Sequence, residues 1–235
     1  MKKTIWYVTK YFSPKTSSSP GGRGWFLAEE MQRAGNQVVV ISSDSNNLVD
    51  LPSLQKRVTQ QNIGEVKLVW LKTMKYLVAK SPRRILSWLH FEWNLFWLDK
   101  ESLPKPDAII VSSLSILTIF NGLILRKKYG CRLIFEVRDI WPLTIIEEGG
   151  FSKNNPLVQA LSWVEKIAYR NADAIVGTMP NLAEHVQSVL GFRRPTYCIP
   201  MGISQGQTQA PEELPESYKT QYLSSHKFKV VHAGT

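Results

Sequence analysis

Short apolar runs alternate with longer helical patterns along this chain. The runs are rich in β-branched residues and mostly continuous, as in strands that are buried on both faces of a parallel sheet. They predict strands at residues 5–8, 38–41, 66–71, 108–111, 133–137, 174–176 and 197–199. Between them, apolar residues at helical spacing predict helices at residues 25–34, 85–98, 116–129, 156–170 and 180–190.

This alternation predicts an α/β fold with a doubly wound, mostly parallel, Rossmann-like sheet and right-handed crossovers. Gly35, Gly130 and Gly191 stand where a left-handed residue commonly ends a helix. Ligands of such sheets bind outside the carboxyl ends of the strands. Residues that directly follow a predicted strand are therefore the first candidates for a site.

The composition changes near the end of the chain. Of the 235 residues 43% are hydrophobic, enough for a sizeable core, but residues 207–222 are rich in Gln, Pro and Glu. We therefore expect a domain at 1–206, a linker at 207–227 and, at 228–235, the first strand of a further domain. That strand runs into a turn at Gly234 and Thr235.

The charge favours anionic partners. Lys and Arg number 29 against 19 Asp and Glu, a net charge of +10, which suits phosphates, acidic lipid or nucleic acid. Nucleic acid is not expected, because no recognition motif for it is present. Cys131 and Cys198 follow strand-like runs and indicate reduced core cysteines. Thr9 and Lys10 interrupt the first apolar run, which argues against a signal peptide and for a cytoplasmic chain.

A glycine-rich loop follows the first predicted strand. Gly21, Gly22 and Gly24 precede a helix, where backbone N–H groups can approach an anion and Arg23 can contact a phosphate. The alternative is that the glycines only form a turn. A dinucleotide-binding site, with Asp44 as its ribose-binding acid, is a further alternative, but the glycine spacing and the long loop count against it.

The fifth of these predicted strands ends in charged and aromatic residues. Asp139 can hold a substrate hydroxyl, Arg138 can face a phosphate and Trp141 can offer a wall to a sugar ring. The alternative pairs Arg138 with Glu136 or Asp139 and places Trp141 in the core.

A basic segment precedes a tryptophan-rich helix. No acidic residue occurs from 66 to 91, whereas Lys72, Lys75, Arg83 and Arg84 do, and Trp88 follows them. Cations beside an aromatic amphipathic helix indicate an anionic membrane surface as partner. The alternative is a core helix behind a solvated basic loop. His90, His185, His226 and His232 lie on different predicted elements, so no metal is expected.

Motifs in a fixed order carry a resemblance to a known family. They are Ser-Pro-Gly-Gly-Arg-Gly-Trp at 19–25, Phe-Glu-Val-Arg-Asp-Ile-Trp-Pro at 135–142, Arg-Asn-Ala-Asp-Ala-Ile-Val at 170–176 and Ile-Pro-Met-Gly-Ile at 199–203. Together they resemble the N-terminal half of a family 4 glycosyltransferase, and more narrowly bacterial O-antigen and capsule enzymes that transfer aminosugars such as L-fucosamine.

The resemblance implies a GT-B fold, in which an acceptor-side domain faces a donor-binding domain. It implies transfer from a nucleotide sugar, such as a UDP-sugar, with retention of anomeric configuration and without a metal or other cofactor. Gly21 and Gly22 then lie over the reacting centre, and Asp139 lines the acceptor side. Gly202 matches a Pro-Asn-Gly turn in which Met201 replaces Asn. Gly234 and Thr235 match the start of the donor-binding domain.

From this resemblance we expect the acceptor-side part of a transferase that acts on a lipid-linked glycan in surface polysaccharide synthesis. It would lie peripherally on the inner face of the cell membrane. Because the donor-binding domain is not in the sequence, we expect inactivity without it, and a separate donor-domain chain is a candidate partner. The alternatives are a truncated product, a non-catalytic membrane-associated scaffold and an NAD(P)-binding Rossmann protein.

Overall fold

The computed structural model describes residues 2–16, 19, 21–46, 54–76, 82–147, 149–202, 215–224 and 228. Within them, eight strands form one sheet in the order β3-β4-β2-β1-β5-β6-β7-β8. The strands are β1 (Thr4–Val8), β2 (Gln37–Ser43), β3 (Val58–Ile63), β4 (Val66–Leu71), β5 (Ala108–Ser112), β6 (Arg132–Val137), β7 (Ala174–Gly177) and β8 (Thr196–Cys198). Neighbouring strands run parallel, except that β3 is antiparallel to β4.

Helices connect the strands and cover the sheet. They are α1 (Arg23–Arg33), α2 (Pro82–Phe96), α3 (Thr118–Tyr129), α4 (Leu143–Glu147), α5 (Pro156–Asn171) and α6 (Leu182–Leu190), with a 3₁₀ turn at Ser113–Ser115. The side chain of Asn155 accepts a hydrogen bond from the backbone N–H of Leu157 and caps α5, whose first residue is Pro156. Gly130 and Gly191 end α3 and α6 with φ angles of 65° and 80°, as their positions predict.

The core lies on both faces of the sheet. Alternate residues of a strand point to opposite faces, so Trp6 and Val8 join one buried cluster with residues of α2, α3, α5 and α6. Tyr7 joins a second cluster, which Trp25 and Ala28 of α1 close on the other face. The apolar continuity of the strands is explained by this two-sided burial.

The predicted α/β fold with its mostly parallel sheet is confirmed, and every strand and helix predicted within the described residues is present. The pattern did not predict β3, because this antiparallel strand next to β4 is largely polar and partly exposed, nor the five-residue helix α4. One cysteine prediction is wrong, since Cys131 is buried but Cys198 is exposed. Cys198 lies in β8, the last strand in the strand order, where the neighbouring Tyr197 is exposed as well.

The chain divides into two compact units, Met1–Met201 and Gly202–Thr235. In the second unit the described residues form a short helix at Glu216–Tyr218 that continues as a π-helix at Lys219–Leu223. The predicted donor-domain residues Gly234 and Thr235 lie outside the described residues. Across the described part of the chain, no helix has the length and apolar character that crossing a membrane requires.

Candidate functional site

The order of strands places a topological switch point at the carboxyl edge of the sheet, and we call this part of the edge the crevice. The strands β2, β3 and β4 lie on one side of β1, and the later strands β5 to β8 lie on its other side. Loops that leave β1 and β5 therefore diverge, and such a switch point is where open α/β sheets bind ligands. Lys10 follows β1 here, Ser113 follows β5, and Arg138 and Asp139 follow β6.

Close packing accounts for the glycines of the loop before α1. The backbone N–H of Gly22 donates to the carbonyl of Ser13 at 2.9 Å and closes the loop. Gly21 has a φ of 90°, and a Cβ atom there would lie 2.8 Å from the indole ring of Trp25. A Cβ on Gly24 would lie 3.0 Å from the rings of Phe12 and Tyr7. These glycines let the loop and the first turn of α1 approach the sheet closely.

Arg23 ties α1 to the ends of two strands. Its Nε donates to Oε1 of Glu136 at 3.4 Å, and its terminal nitrogens donate to the carbonyls of Pro200 and Ile199 at 3.0 and 2.9 Å. The hydroxyl of Tyr7 donates to Oε2 of the buried Glu136 at 2.7 Å. Burial, and then the charge of Glu136, raise the pKa of Tyr7 well above its ordinary value. All three donor groups of Arg23 are thus engaged within the protein, and a phosphate would compete with them.

Ser113 holds the turn that carries Asp139. Its hydroxyl oxygen accepts hydrogen bonds from the backbone N–H groups of Arg138 and Asp139 at 2.8 and 3.3 Å. Its backbone carbonyl accepts from Nε1 of Trp141 at 2.9 Å. Arg138 and Asp139 are both partly exposed. No carboxylate of the described residues forms an ion pair with Arg138, because Glu136 is taken by Arg23 instead.

Two tryptophans with predicted ligand roles lie in the core. Trp141 and Trp88 are each 7% exposed, and their rings meet edge to face at 5.6 Å. Nε1 of Trp88 donates to the hydroxyl of Tyr11 at 2.9 Å. The predicted role of Trp141 as a wall for a sugar ring is therefore wrong, because its ring is buried. The predicted role of Trp88 as a membrane-facing residue is wrong for the same reason. Arg84 lies over the Trp88 ring at 5.2 Å, whereas Lys72, Lys75 and Arg83 are exposed.

A fully buried lysine lies at the switch point. The Nζ atom of Lys10 donates to the carbonyl of Ser45 at 3.1 Å and lies 4.5 and 5.4 Å from the ring centres of Tyr11 and Tyr76. Among the described residues no carboxylate forms an ion pair with this ammonium group. Burial, followed by repulsion from Arg84, lowers the pKa of Lys10 to about 7, so the group holds its proton only in part at neutral pH.

The carboxylate of Asp44, the candidate ribose ligand, already has partners within the protein. Its Oδ1 accepts from the backbone N–H of Thr73 at 2.8 Å, and its Oδ2 lies 3.4 Å from Nζ of Lys75. The carboxylate is buried and joins the ends of β2 and β4. Its geometry favours a structural role over dinucleotide binding.

Glu92 is a second perturbed group near the crevice. Its Oε1 accepts from the hydroxyls of Ser115 and Thr118 at 3.1 and 2.6 Å, and its Oε2 accepts from the amide of Asn121 at 2.7 Å. Burial outweighs these hydrogen bonds and raises the pKa of Glu92 to about 7. The side chain therefore joins α2 to the 3₁₀ turn and to α3, partly as a neutral acid.

Sequence reasoning missed Lys10, Glu92, Ser113 and the pairing of Glu136 with Arg23. Lys10 and Ser113 carried a readable signal, since each follows a buried strand at its carboxyl end. Glu92 carried none, because its partners are distant in sequence. Within the described residues, no group of histidine, cysteine and acidic side chains is arranged to hold a metal ion.

The fold and the position of the crevice define a Rossmann-like domain of the GT-B type. The family described as Glycosyltransferase Family 4 matches residues 25–206. The chain belongs to this family. No curated protein matches the chain.

Solved structures share the fold at low sequence identity. Sucrose-phosphate synthase from Thermosynechococcus elongatus has a TM-score of 0.56 at 14% identity, over 86% of this chain and 49% of that one. The catalytic domain of starch synthase IV from Arabidopsis thaliana, bound to ADP and acarbose, has a TM-score of 0.56 at 12% identity, over 84% and 52%. An E. coli structure described as "Trehalose-6-phosphate" bound with UDP-2-fluoro glucose has a TM-score of 0.57 at 12% identity, over 92% and 53%. The chain spans about half the length of these neighbours.

Proposed function

We propose that the chain forms the acceptor side of a retaining glycosyltransferase that moves a sugar from a nucleotide sugar to a lipid-linked glycan. The family match over residues 25–206 carries this proposal. One neighbour is described as bound with UDP-2-fluoro glucose, which supports a UDP-sugar as donor. The chain spans about half of each neighbour, and the proposal concerns the acceptor side. A role in O-antigen or capsule synthesis, with an aminosugar as the transferred group, completes the proposal.

Asp139 is the group that we propose for holding the acceptor hydroxyl. It lies at the carboxyl end of β6 on a turn that Ser113 fixes from the neighbouring strand. A carboxylate accepts a hydrogen bond from a hydroxyl and so orients its oxygen for attack. Arg138, partly exposed beside it, supplies a positive charge for a phosphate of the donor or of the lipid carrier. The backbone N–H groups of Gly21 and Gly22 donate to Ser19 and Ser13, so these two glycines shape the loop at the same edge of the sheet.

Acceptor binding tests this assignment on the 235-residue chain. The probe is a short-chain polyprenyl diphosphate that carries one aminosugar, titrated by calorimetry. We expect saturable binding that Asp139→Asn weakens at least about tenfold, or about 1.4 kcal/mol. Asp99→Asn, which removes a carboxylate from an exposed turn, is the matched control. Absence of binding, or an equal loss in both variants, would contradict the proposal.

The same calorimetry separates the competing functions. A UDP-sugar should bind much more weakly than the acceptor probe, because the proposal places the donor site in another domain. Tight binding of the UDP-sugar would reassign the crevice to the donor, and tight binding of NAD would favour an oxidoreductase. Where transfer is reconstituted with a donor-binding chain, the anomeric coupling constant of the product reports whether configuration is retained. Reconstitution without any transfer would favour a non-catalytic scaffold.

A further inference from the structure

One side of α2 and of the turn after it exposes a continuous set of large apolar side chains. We call this set the α2 face, and its members are Ile85, Leu86, Leu89, Trp93, Phe96 and Trp97. Their exposed fractions run from 45% for Ile85 to 62% for Trp93. At about 100° per residue these positions fall within roughly a third of the helix circumference. The rings of Trp93 and Trp97 lie 5.8 Å apart, and those of Phe96 and Trp97 lie 5.2 Å apart.

The core does not require the α2 face. Trp88, Phe91 and Leu95 project from the opposite side of α2 and are buried against the sheet. A helix that is apolar on both sides is normally enclosed on both sides, yet in the first unit this side is open. An exposed apolar patch of this kind marks an interaction surface.

Cations border the α2 face on its polar flank. The segment that leaves β4 runs along α2, where Nδ2 of Asn94 donates to the carbonyl of Lys72 and the hydroxyl of Ser87 donates to the carbonyl of Met74, both at 2.8 Å. Lys72 and Lys75 are exposed on this segment, and Arg83 is exposed in the first turn of α2. The sequence holds no acidic residue between 66 and 91. Apolar and cationic groups thus lie side by side, and of these cations Lys75 is paired with the buried carboxylate of Asp44.

We propose that the α2 face enters the headgroup region of an anionic bilayer, while Lys72 and Arg83 contact its phosphates. Tryptophan favours this interface, and basic residues are attracted to the negative surface potential of anionic lipids. The charge complementarity selects a lipid surface over a protein partner with a neutral apolar groove. This proposal rests on the lipid-linked acceptor proposed above and names the surface that brings the crevice to it. It replaces the buried Trp88 by Trp93 and Trp97 as the membrane-facing indoles.

Vesicle co-sedimentation tests the proposal without any sugar substrate. The full chain is mixed with vesicles of phosphatidylcholine and phosphatidylglycerol, or of phosphatidylcholine alone. We expect binding to the anionic vesicles that falls at least about tenfold for the double variant Trp93→Ser/Trp97→Ser. Trp163→Ser is the matched control, because Trp163 lies on α5 with 60% exposure, and it should bind as the wild type does. Lys72→Gln/Arg83→Gln should lower binding to anionic vesicles more than Lys127→Gln/Lys166→Gln does.

Bromine-labelled lipids give a second readout. They should quench the fluorescence of the wild type but not that of the Trp93→Ser/Trp97→Ser variant. Unchanged binding of that variant, or an equal loss with Trp163→Ser, would overturn the proposal. Self-association of the lipid-free chain that the double variant abolishes, without vesicle binding, would instead identify a second copy as occupant. Failure of vesicle binding leaves the calorimetric acceptor test intact, so the two proposals fail separately.

Discussion

Replacement of Glu92 by glutamine should remove one component of the pH dependence of folding stability. Burial raises the pKa of this carboxyl group from 4.5 to about 7 in the folded chain. Between these two values the folded state keeps a proton that the unfolded state has lost. The stabilisation is therefore fully present below pH 4.5 and is lost as the pH rises through about 7.

The size of the effect follows from the raised pKa. At about 1.4 kcal/mol for each pKa unit, the free energy of unfolding should fall by about 3 kcal/mol between pH 4.5 and pH 7.5. The introduced glutamine does not titrate, and its carbonyl can still accept from Ser115 and Thr118. The amide loses the acceptor that faces Asn121, which lowers stability by an amount that does not depend on pH.

Urea unfolding followed by circular dichroism, at pH values from 4.5 to 7.5, measures this difference. The stability of Glu92→Gln relative to the wild type should increase by about 3 kcal/mol across the range. Glu101→Gln, at an exposed position, should follow the wild type. If Glu92→Gln keeps the pH dependence of the wild type, then burial does not raise the pKa of Glu92 and the reasoning is refuted.

Further substitutions test the loops around the crevice, each by the same urea unfolding. Lys10→Met should remove a rise in stability between about pH 7 and pH 10.5, because the lowered pKa lets the folded chain lose its proton first; a rise that persists would contradict this. Gly21→Ala should cost about 1–3 kcal/mol, since its φ is 90° and the Trp25 ring blocks the new Cβ. Gly22→Ala, whose Cβ would lie 3.4 Å from Ser13, should cost less, and equal costs would argue against a packing role. Ser113→Ala should cost about 1–3 kcal/mol, because the backbone N–H groups of Arg138 and Asp139 lose their acceptor; no loss of stability or of acceptor affinity would contradict its role.

The sequence predicted the position of Arg23 in the fold but not the groups that it binds. The position after a glycine turn correctly put Arg23 at the carboxyl edge of the sheet. Its partners are Glu136 and the carbonyls of Ile199 and Pro200, more than a hundred residues away in sequence. Such partners become neighbours only when parallel strands align, so no local pattern can reveal them.

The sequence by itself determined the alternation of strands and helices, the glycine ends of the helices and the edge of the sheet at which Asp139 lies. These features depend on local periodicity and on backbone preferences, which act within a few residues. Only the tertiary structure decided which side of α2 is buried. Apolar residues occupy both sides of this helix, so the sequence pattern does not indicate which side faces the sheet. Packing against the sheet encloses Trp88 and leaves Trp93 exposed. Burial likewise set the pKa values of Lys10 and Glu92, because the loss of water around a charge depends on every element that surrounds it.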